Sequence, residues 1–180
     1  MPVTPNVPVE NFINLTPETA YILGVIWSEG NVARPGSGRT YIRVEMLSED
    51  LEEILPVFES CGKWAQHRRT RRGRTREILR LETANKRLWE FIEPHKRNPA
   101  SLLSTMDESL RPYWFRGMFD GDGCFYNPSR GKNQMFVGGC VEQDWSFLTE
   151  QLDALGISWK HTLKKHYPKE GNVSQSSLVR

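Results

Sequence analysis

Glu29 and Asp122 share an unusual setting. Each closes a nearly apolar stretch about a turn and a half after a glycine, Gly24 and Gly117, and each is followed by another glycine. A helix that is apolar all round must be buried, and small residues within it let two helices approach closely. Packed against one another, two such helices set their terminal carboxylates side by side, where the like charges and the negative helix C-termini repel. A divalent cation between them removes the repulsion. Hard oxygen ligands of this kind suit Mg²⁺, and a metal-activated water beside a phosphate is nuclease chemistry.

The elements that must hold these acids are marked by local signals. Leu15-Thr-Pro-Glu18 starts a helix, with Thr16 as N-cap, Pro17 in the first helical position and an acid in the first turn. That helix runs over 18–28 and stops at Glu29-Gly30. Residues 1–14, with Pro2, Pro5 and Pro8, read as an irregular N-terminal arm. A short strand over 31–34, a turn at Pro35-Gly-Ser-Gly38 and a strand over 40–47 follow. In the longer strand Tyr41, Arg43 and Glu45 alternate with Ile42, Val44 and Met46, one face polar and the other buried. Ser48 caps a helix over 49–60 that ends near Cys61-Gly62. The run from Trp64 to Arg76 is flanked by strand-like sequence and centred on Gly73, which predicts a long basic hairpin. A helix over 86–92 is then stopped by Pro94.

The same order recurs. Residues 111–120 form an apolar helix ending at Gly121-Asp122-Gly123, followed by strands over 124–127 and 134–141 around a turn at 128–133. A helix over 144–155 and a hairpin of 158–166 with 173–179 complete it. Glu29 maps to Asp122 with a shift of 93, and Asp50 to Asp144 and Gly62 to Gly156 with a shift of 94. The chain therefore divides into an arm (1–14), a first repeat (15–99), a linker (100–109) and a second repeat (110–180) of α-β-β-α-β-β form. The second repeat has no counterpart of the 86–92 helix, so its matching apolar surface is expected to be uncovered, and no counterpart of Lys96.

Phe115-Arg-Gly-Met-Phe-Asp-Gly-Asp-Gly123 resembles the LAGLIDADG motif, and Ile22-Leu-Gly-Val-Ile-Trp-Ser-Glu-Gly30 resembles a degenerate first copy. The likeness runs from about Leu15 to Arg180 in motif, repeat order and spacing. It implies the single-chain, two-motif homing endonucleases, which cut long double-stranded DNA sites by metal-dependent phosphodiester hydrolysis. The fold implied is α+β, two pseudo-symmetric α-β-β-α-β-β repeats forming a DNA-binding saddle with paired central motif helices. In that family the last acid of each motif binds Mg²⁺ or Mn²⁺, here Glu29 and Asp122, and the carbonyls of the preceding residues, Ser28 and Gly121, often join. Basic residues near the end of a repeat assist at the scissile phosphate, which matches Lys96 and Arg97. Relatives that have lost cleavage act as intron RNA maturases or DNA-binding regulators, and that is the second reading.

Charge supports a nucleic-acid partner. The net +2 hides 3 basic and 9 acidic residues in 1–60, 12 and 4 in 61–100, and 9 of each in 101–180. From the first sheet Arg34, Arg39, Tyr41, Arg43, Arg68, Arg76 and Arg80 are expected to read DNA, arginine being suited to guanine edges. The hairpin tip, Arg69, Arg71, Arg72 and Arg74, is expected to grip phosphates. The second sheet offers Arg130, Lys132, Lys160, Lys164 and Lys165.

Other chemistries fail. After Asp120-Gly-Asp-Gly the fifth and sixth loop positions are Cys124 and Phe125, which excludes an EF-hand. His67, His95, His161 and His166 lack zinc spacing with the cysteines, and Arg130-Gly-Lys132 has no P-loop glycine upstream. Trp89, Trp114 and Trp145 are expected in the core. Three widely spaced cysteines, no export signal and no run long enough to span a membrane predict an intracellular protein, cytoplasmic or organellar and associated with DNA. The expected state is a monomer with pseudo-twofold symmetry.

Overall fold

The structure is a computed structural model that describes residues 6–33, 40–70, 75–126, 134–140, 143–166 and 174–179. The N-terminal segment is packed rather than loose. It forms a short helix α1 (Glu10–Ile13), and Val7, Val9 and Phe12 are buried. Its anchors are the Lys63 amide donating to the Asn6 carbonyl at 3.0 Å and the Asn11 amide donating to the Cys61 carbonyl at 2.9 Å. Gly62 makes the close approach possible: its φ is +144°, and a Cβ there would lie 2.8 Å from the Val7 Cα. The prolines rule out a long helix here but not burial of the apolar side chains between them.

Helix α2 (Pro17–Glu29) begins as its sequence dictates, with Thr16 and Thr19 each hydrogen-bonding the other's backbone amide in a capping box. Every residue from Thr19 to Trp27 is buried, as an apolar helix requires. Strands β1 (Gly30–Ala33) and β2 (Tyr41–Leu47) lead into α3 (Ser48–Ser60), then β3 (Ala65–Thr70) and β4 (Glu77–Thr83). The four strands form an antiparallel sheet in the order β1-β2-β4-β3, with Ile42, Val44, Leu79 and Leu81 fully buried on one face. Ser48 does not cap α3. Its hydroxyl donates to Glu77 Oε2 at 3.0 Å, and Leu47 is the N-cap without a side-chain bond.

Helix α4 (Lys86–Arg97), capped by Asn85, runs through Pro94 instead of stopping there. Tertiary contacts beyond the proline hold the last turn: His95 Nδ1 lies 3.1 Å from the Ser101 hydroxyl, and Lys96 reaches carbonyls of α2. The expected linker carries a helix, α5 (Pro99–Thr105), that buries Leu102 and Leu103. Helix α6 (Arg111–Asp122) buries the stripe Trp114, Gly117 and Met118 and leaves Tyr113, Arg116 and Asp120 exposed, so it is less enclosed than its composition predicts.

The chain separates into two compact units, 1–121 and 122–180, and the division falls at the end of α6. The second unit holds β5 (Gly123–Tyr126), β6 (Gln134–Cys140), α7 (Ser146–Ala154), β7 (His161–His166) and β8 (Ser174–Val179). Its antiparallel sheet is ordered β5-β6-β8-β7, the same strand order as in the first unit. Val137, Trp145, Phe147, Leu148 and Val179 form its core. Directly paired residues share a face, so the pairs Gly123–Val137 and Phe125–Met135 place Phe125 on the face of buried Val137. Phe125 is nevertheless 80% exposed, and Leu163 on β7 57%, whereas Val137 and Val179 on the same face are buried. Of the three tryptophans expected in the core, Trp114 and Trp145 are buried and Trp89 is half-buried. Among the described residues no helix is long and apolar enough to cross a membrane.

Candidate active site and charged sheet face

The two glycines that precede the acids mark a close helix crossing. A Cβ on Gly24 would lie 2.0 Å from the Trp114 carbonyl oxygen, and one on Gly117 would lie 2.0 Å from that of Tyr21. Further along, a Cβ on Gly121 would lie 2.0 Å from the Ser28 hydroxyl oxygen and 3.1 Å from Glu29 Cγ. Contacts advance along α2 and α6 in the same direction, so the helices are parallel and their C-terminal ends coincide at Glu29 and Gly121, the residue before Asp122.

Side chains lock the crossing. The Trp27 and Trp114 ring centroids are 5.7 Å apart at 52°. Tyr21 Oη donates to Asp120 Oδ2 at 2.9 Å, and Arg116 Nε lies 3.6 Å from the same oxygen. Burial, then the hydrogen bond and charge of Asp120, push the Tyr21 phenol far above its ordinary range. Lys96 Nζ donates to the Ile26 carbonyl at 3.1 Å and to the Trp27 carbonyl, setting a cation on the negative end of α2. Arg97, by contrast, is exposed and pairs with Glu93 on its own helix.

A cleft of about 450 Å³ opens beside this end, lined by Glu29, Asp120 and Gly121 from the helices and by Glu45, Asp50 and Arg69 from the sheet and α3. Two of its carboxylates meet arginines, Asp120 with Arg116 and Glu45 with Arg69 and Arg80, and Glu29 and Asp50 add two more. Among the described residues no group of three or more His, Cys, Asp or Glu side chains is gathered closely enough to hold a metal ion. Mg²⁺ commonly takes only one or two protein carboxylates and completes its shell with water and substrate phosphate. Glu29 with the backbone carbonyls beside it is a hard-oxygen donor set of that type.

The strand register sorts the arginines of the first sheet. Arg43 opposes Glu82, Glu45 opposes Arg80, and Arg80 opposes His67, so these residues and Arg69, two along from His67, share the face opposite the core. Arg43 Nε and Nη2 reach Glu82 Oε2 at 3.0 and 2.8 Å, and its guanidinium lies 4.4 Å from the Tyr41 ring centroid. Glu45 accepts from Arg69 Nη2 at 2.7 Å and from Arg80 Nε. Partial burial opposes ionisation of Glu45, but the bonds and charges of Arg80 and Arg69 outweigh it and hold the carboxyl below its ordinary range.

Arg68 departs from expectation. It opposes Leu79, which is buried, and therefore lies on the helix side of the sheet, where it pairs with Glu52 of α3 and with Glu77 at 2.8 Å. Arg76 also turns to α3, 3.8 Å from Glu49. Arg34, Arg39, Arg71, Arg72, Arg74, Arg130 and Lys132 lie outside the described residues; Lys160 is exposed, and Lys164 and Lys165 fall within β7. The sequence reading missed the glutamate partners and the Tyr21–Asp120 bond, because each joins residues far apart in the chain.

No family model and no curated protein matches the chain. Solved structures do. I-DmoI in complex with DNA and Ca is 16% identical, with a TM-score of 0.57 over 91% of this chain and 81% of that one. Mesophilic variants of the homing endonuclease I-DmoI give 15% and 0.56 over 91% and 87%. Full-length DUF199/WhiA from Thermatoga maritima is 14% identical, with a TM-score of 0.56 over 95% of this chain and 55% of that one. The chain thus shares the mixed α/β, antiparallel-sheet fold of these proteins.

Proposed function

We propose that this protein is a site-specific DNA endonuclease of the homing type, hydrolysing phosphodiester bonds in both strands of a long duplex target. One observation carries the reading: the Gly24–Gly117 crossing sets the Glu29 end of α2 against Gly121, so that the two motif acids, 29 and 122, belong to helices whose ends meet. The fold shared with I-DmoI, described in complex with DNA and with Ca or Mn, supports it. In this reading each of the two sheets, alike in strand order, offers a face to DNA.

Glu29 and Asp122, with the carbonyls of Ser28 and Gly121, would hold Mg²⁺ or Mn²⁺, which when bound supplies Lewis-acid stabilisation of the phosphate and an activated water. The chain's own residues do the positioning. The glycine crossing fixes the spacing of the two helix ends. Lys96 pins the last turn of α2 through the Ile26 and Trp27 carbonyls and brings positive charge toward the end that carries Glu29. Lys96 and Arg97 are the basic residues proposed to serve the scissile phosphate. The outer sheet face, with Tyr41, Arg43, Arg69 and Arg80, is the proposed reader of the duplex.

Cleavage selection from a randomised duplex library with Mg²⁺ tests this. A discrete family of cut sequences is expected, with both strands broken. Binding without any cut product would overturn the nuclease reading and leave the maturase or regulator reading.

A further inference from the structure

Glu45 stands apart from the other glutamates that hold arginines of the first sheet. Among the described residues each of those serves one arginine, whereas Glu45 serves two, Arg69 through Oε2 at 2.7 Å and Arg80 through Oε1. The three residues come from three strands, β2, β3 and β4, and lie together on the outer face. Two carboxylate oxygens presented to two guanidiniums make the same contacts that the non-bridging oxygens of a phosphate would make. Glu45 and Arg69 also line the cleft beside Glu29, where a bound backbone would run if the proposed function holds.

We infer that Glu45 is a specificity-determining residue, a resident anion that occupies Arg69 and Arg80 and holds down sequence-independent binding to the DNA backbone. The inference rests on the outer face being the DNA face. Partly exposed ion pairs are weak, so duplex phosphates can exchange with Glu45. The exchange leaves a carboxylate inside the negative field of DNA. It is therefore favoured only where other contacts to the same site outweigh that repulsion. A duplex that merely offers phosphates gains little from Arg69 and Arg80 while Glu45 is charged.

The test measures binding of the full chain to a random-sequence duplex of about 30 base pairs by fluorescence anisotropy, between about 50 and 200 mM salt. Wild type is compared with E45Q, which keeps the side-chain shape, and with E52Q, which removes the same charge on the opposite face of the sheet. E45Q should bind more tightly, and its slope of log K against log salt should steepen by about 1.8, two phosphate contacts at ~0.9 each. Its advantage over wild type should therefore shrink roughly tenfold across that salt range, and E52Q should keep the wild-type slope. Adding R69A to E45Q should take back about 0.9 of that steepening, because the freed Arg69 makes one of the two contacts, and E45A should steepen the slope in the same sense should E45Q fail to fold.

The inference is overturned if E45Q keeps the wild-type slope, if E45Q and E52Q shift alike, if E45Q with R69A keeps the whole steepening, or if neither wild type nor E45Q retains duplex at low salt. A steepened E45Q slope beside a wild type that cuts no DNA would remove the nuclease reading and leave this one. Cleavage with an unchanged slope would do the reverse.

Discussion

The backbone of Tyr21 occupies the space where a side chain at position 117 would begin: a Cβ on Gly117 would sit 2.0 Å from the Tyr21 carbonyl oxygen. Neither partner atom is the flexible end of a side chain, so α2 and α6 must separate to admit even a methyl group.

Gly117→Ala should therefore lower stability by at least about 2 kcal/mol, at the upper end of what overpacking costs, and Gly24→Ala should do the same. Gly138→Ala, with nothing within 4 Å of its Cβ position, should stay within about 0.5 kcal/mol of wild type. Urea unfolding followed by circular dichroism measures all three. Near-wild-type stability of both helix variants would contradict the crossing.

Tyr21→Phe removes the bond to Asp120 and should cost about 1 kcal/mol at pH 8, moderated because Asp120 is exposed and rehydrates. Its effect should depend on pH in a fixed sense. The phenol's folded-state pKa is raised by burial and by Asp120, so the folded chain holds the proton more tightly than the unfolded one. That contribution is fully present below the unfolded value of about 10 and is lost as pH rises above it. The stability gap between wild type and the Phe variant should be flat to about pH 9 and shrink by up to ~1.4 kcal/mol per pH unit above 10. A gap that widens there would refute the assignment.

Glu29→Gln and Asp122→Asn should each abolish Mg²⁺-dependent cleavage while leaving DNA binding within a few-fold. Each change removes an anionic metal ligand and relieves repulsion at helix C-termini, so the melting temperature should hold or rise slightly. Cleavage by either variant at the wild-type rate would exclude that acid from the site.

Arg68→Ala should leave the salt dependence of DNA binding unchanged. Its guanidinium is held by Glu52 and Glu77 on the helix side of the sheet, away from Arg43 and Arg80. A fall of about 0.9 in the slope would show that this side also meets DNA.

What the sequence revealed and concealed follows the range of the interactions involved. Thr16, Pro17 and Glu18 act within one helical turn, and the start of α2 was readable from them. The glycine spacing around Glu29 and Asp122 was readable for the same reason, since a helix repeats its geometry wherever it occurs. Arg68 was misassigned because alternation in a strand is absolute: neighbours point to opposite faces, and only the pairing with Leu79 shows which face is which. Pro94 was read as a stop because its effect is local, whereas the contacts of His95 with Ser101 and of Lys96 with α2 that carry the helix past it are not. Glu45 was visible as a polar-face residue, but its two arginines lie 24 and 35 positions away, and no local pattern announces them.

The burial of α2 also sets an order on synthesis. Its last residue, Glu29, leaves the ribosome 82 residues before Arg111, the first residue of the helix that covers Gly24. At about 5–20 residues per second that is a delay of roughly 4–16 s, during which a fully apolar face has no α6 to close on. Nascent chains caught in that interval are the form of this protein most in need of a chaperone.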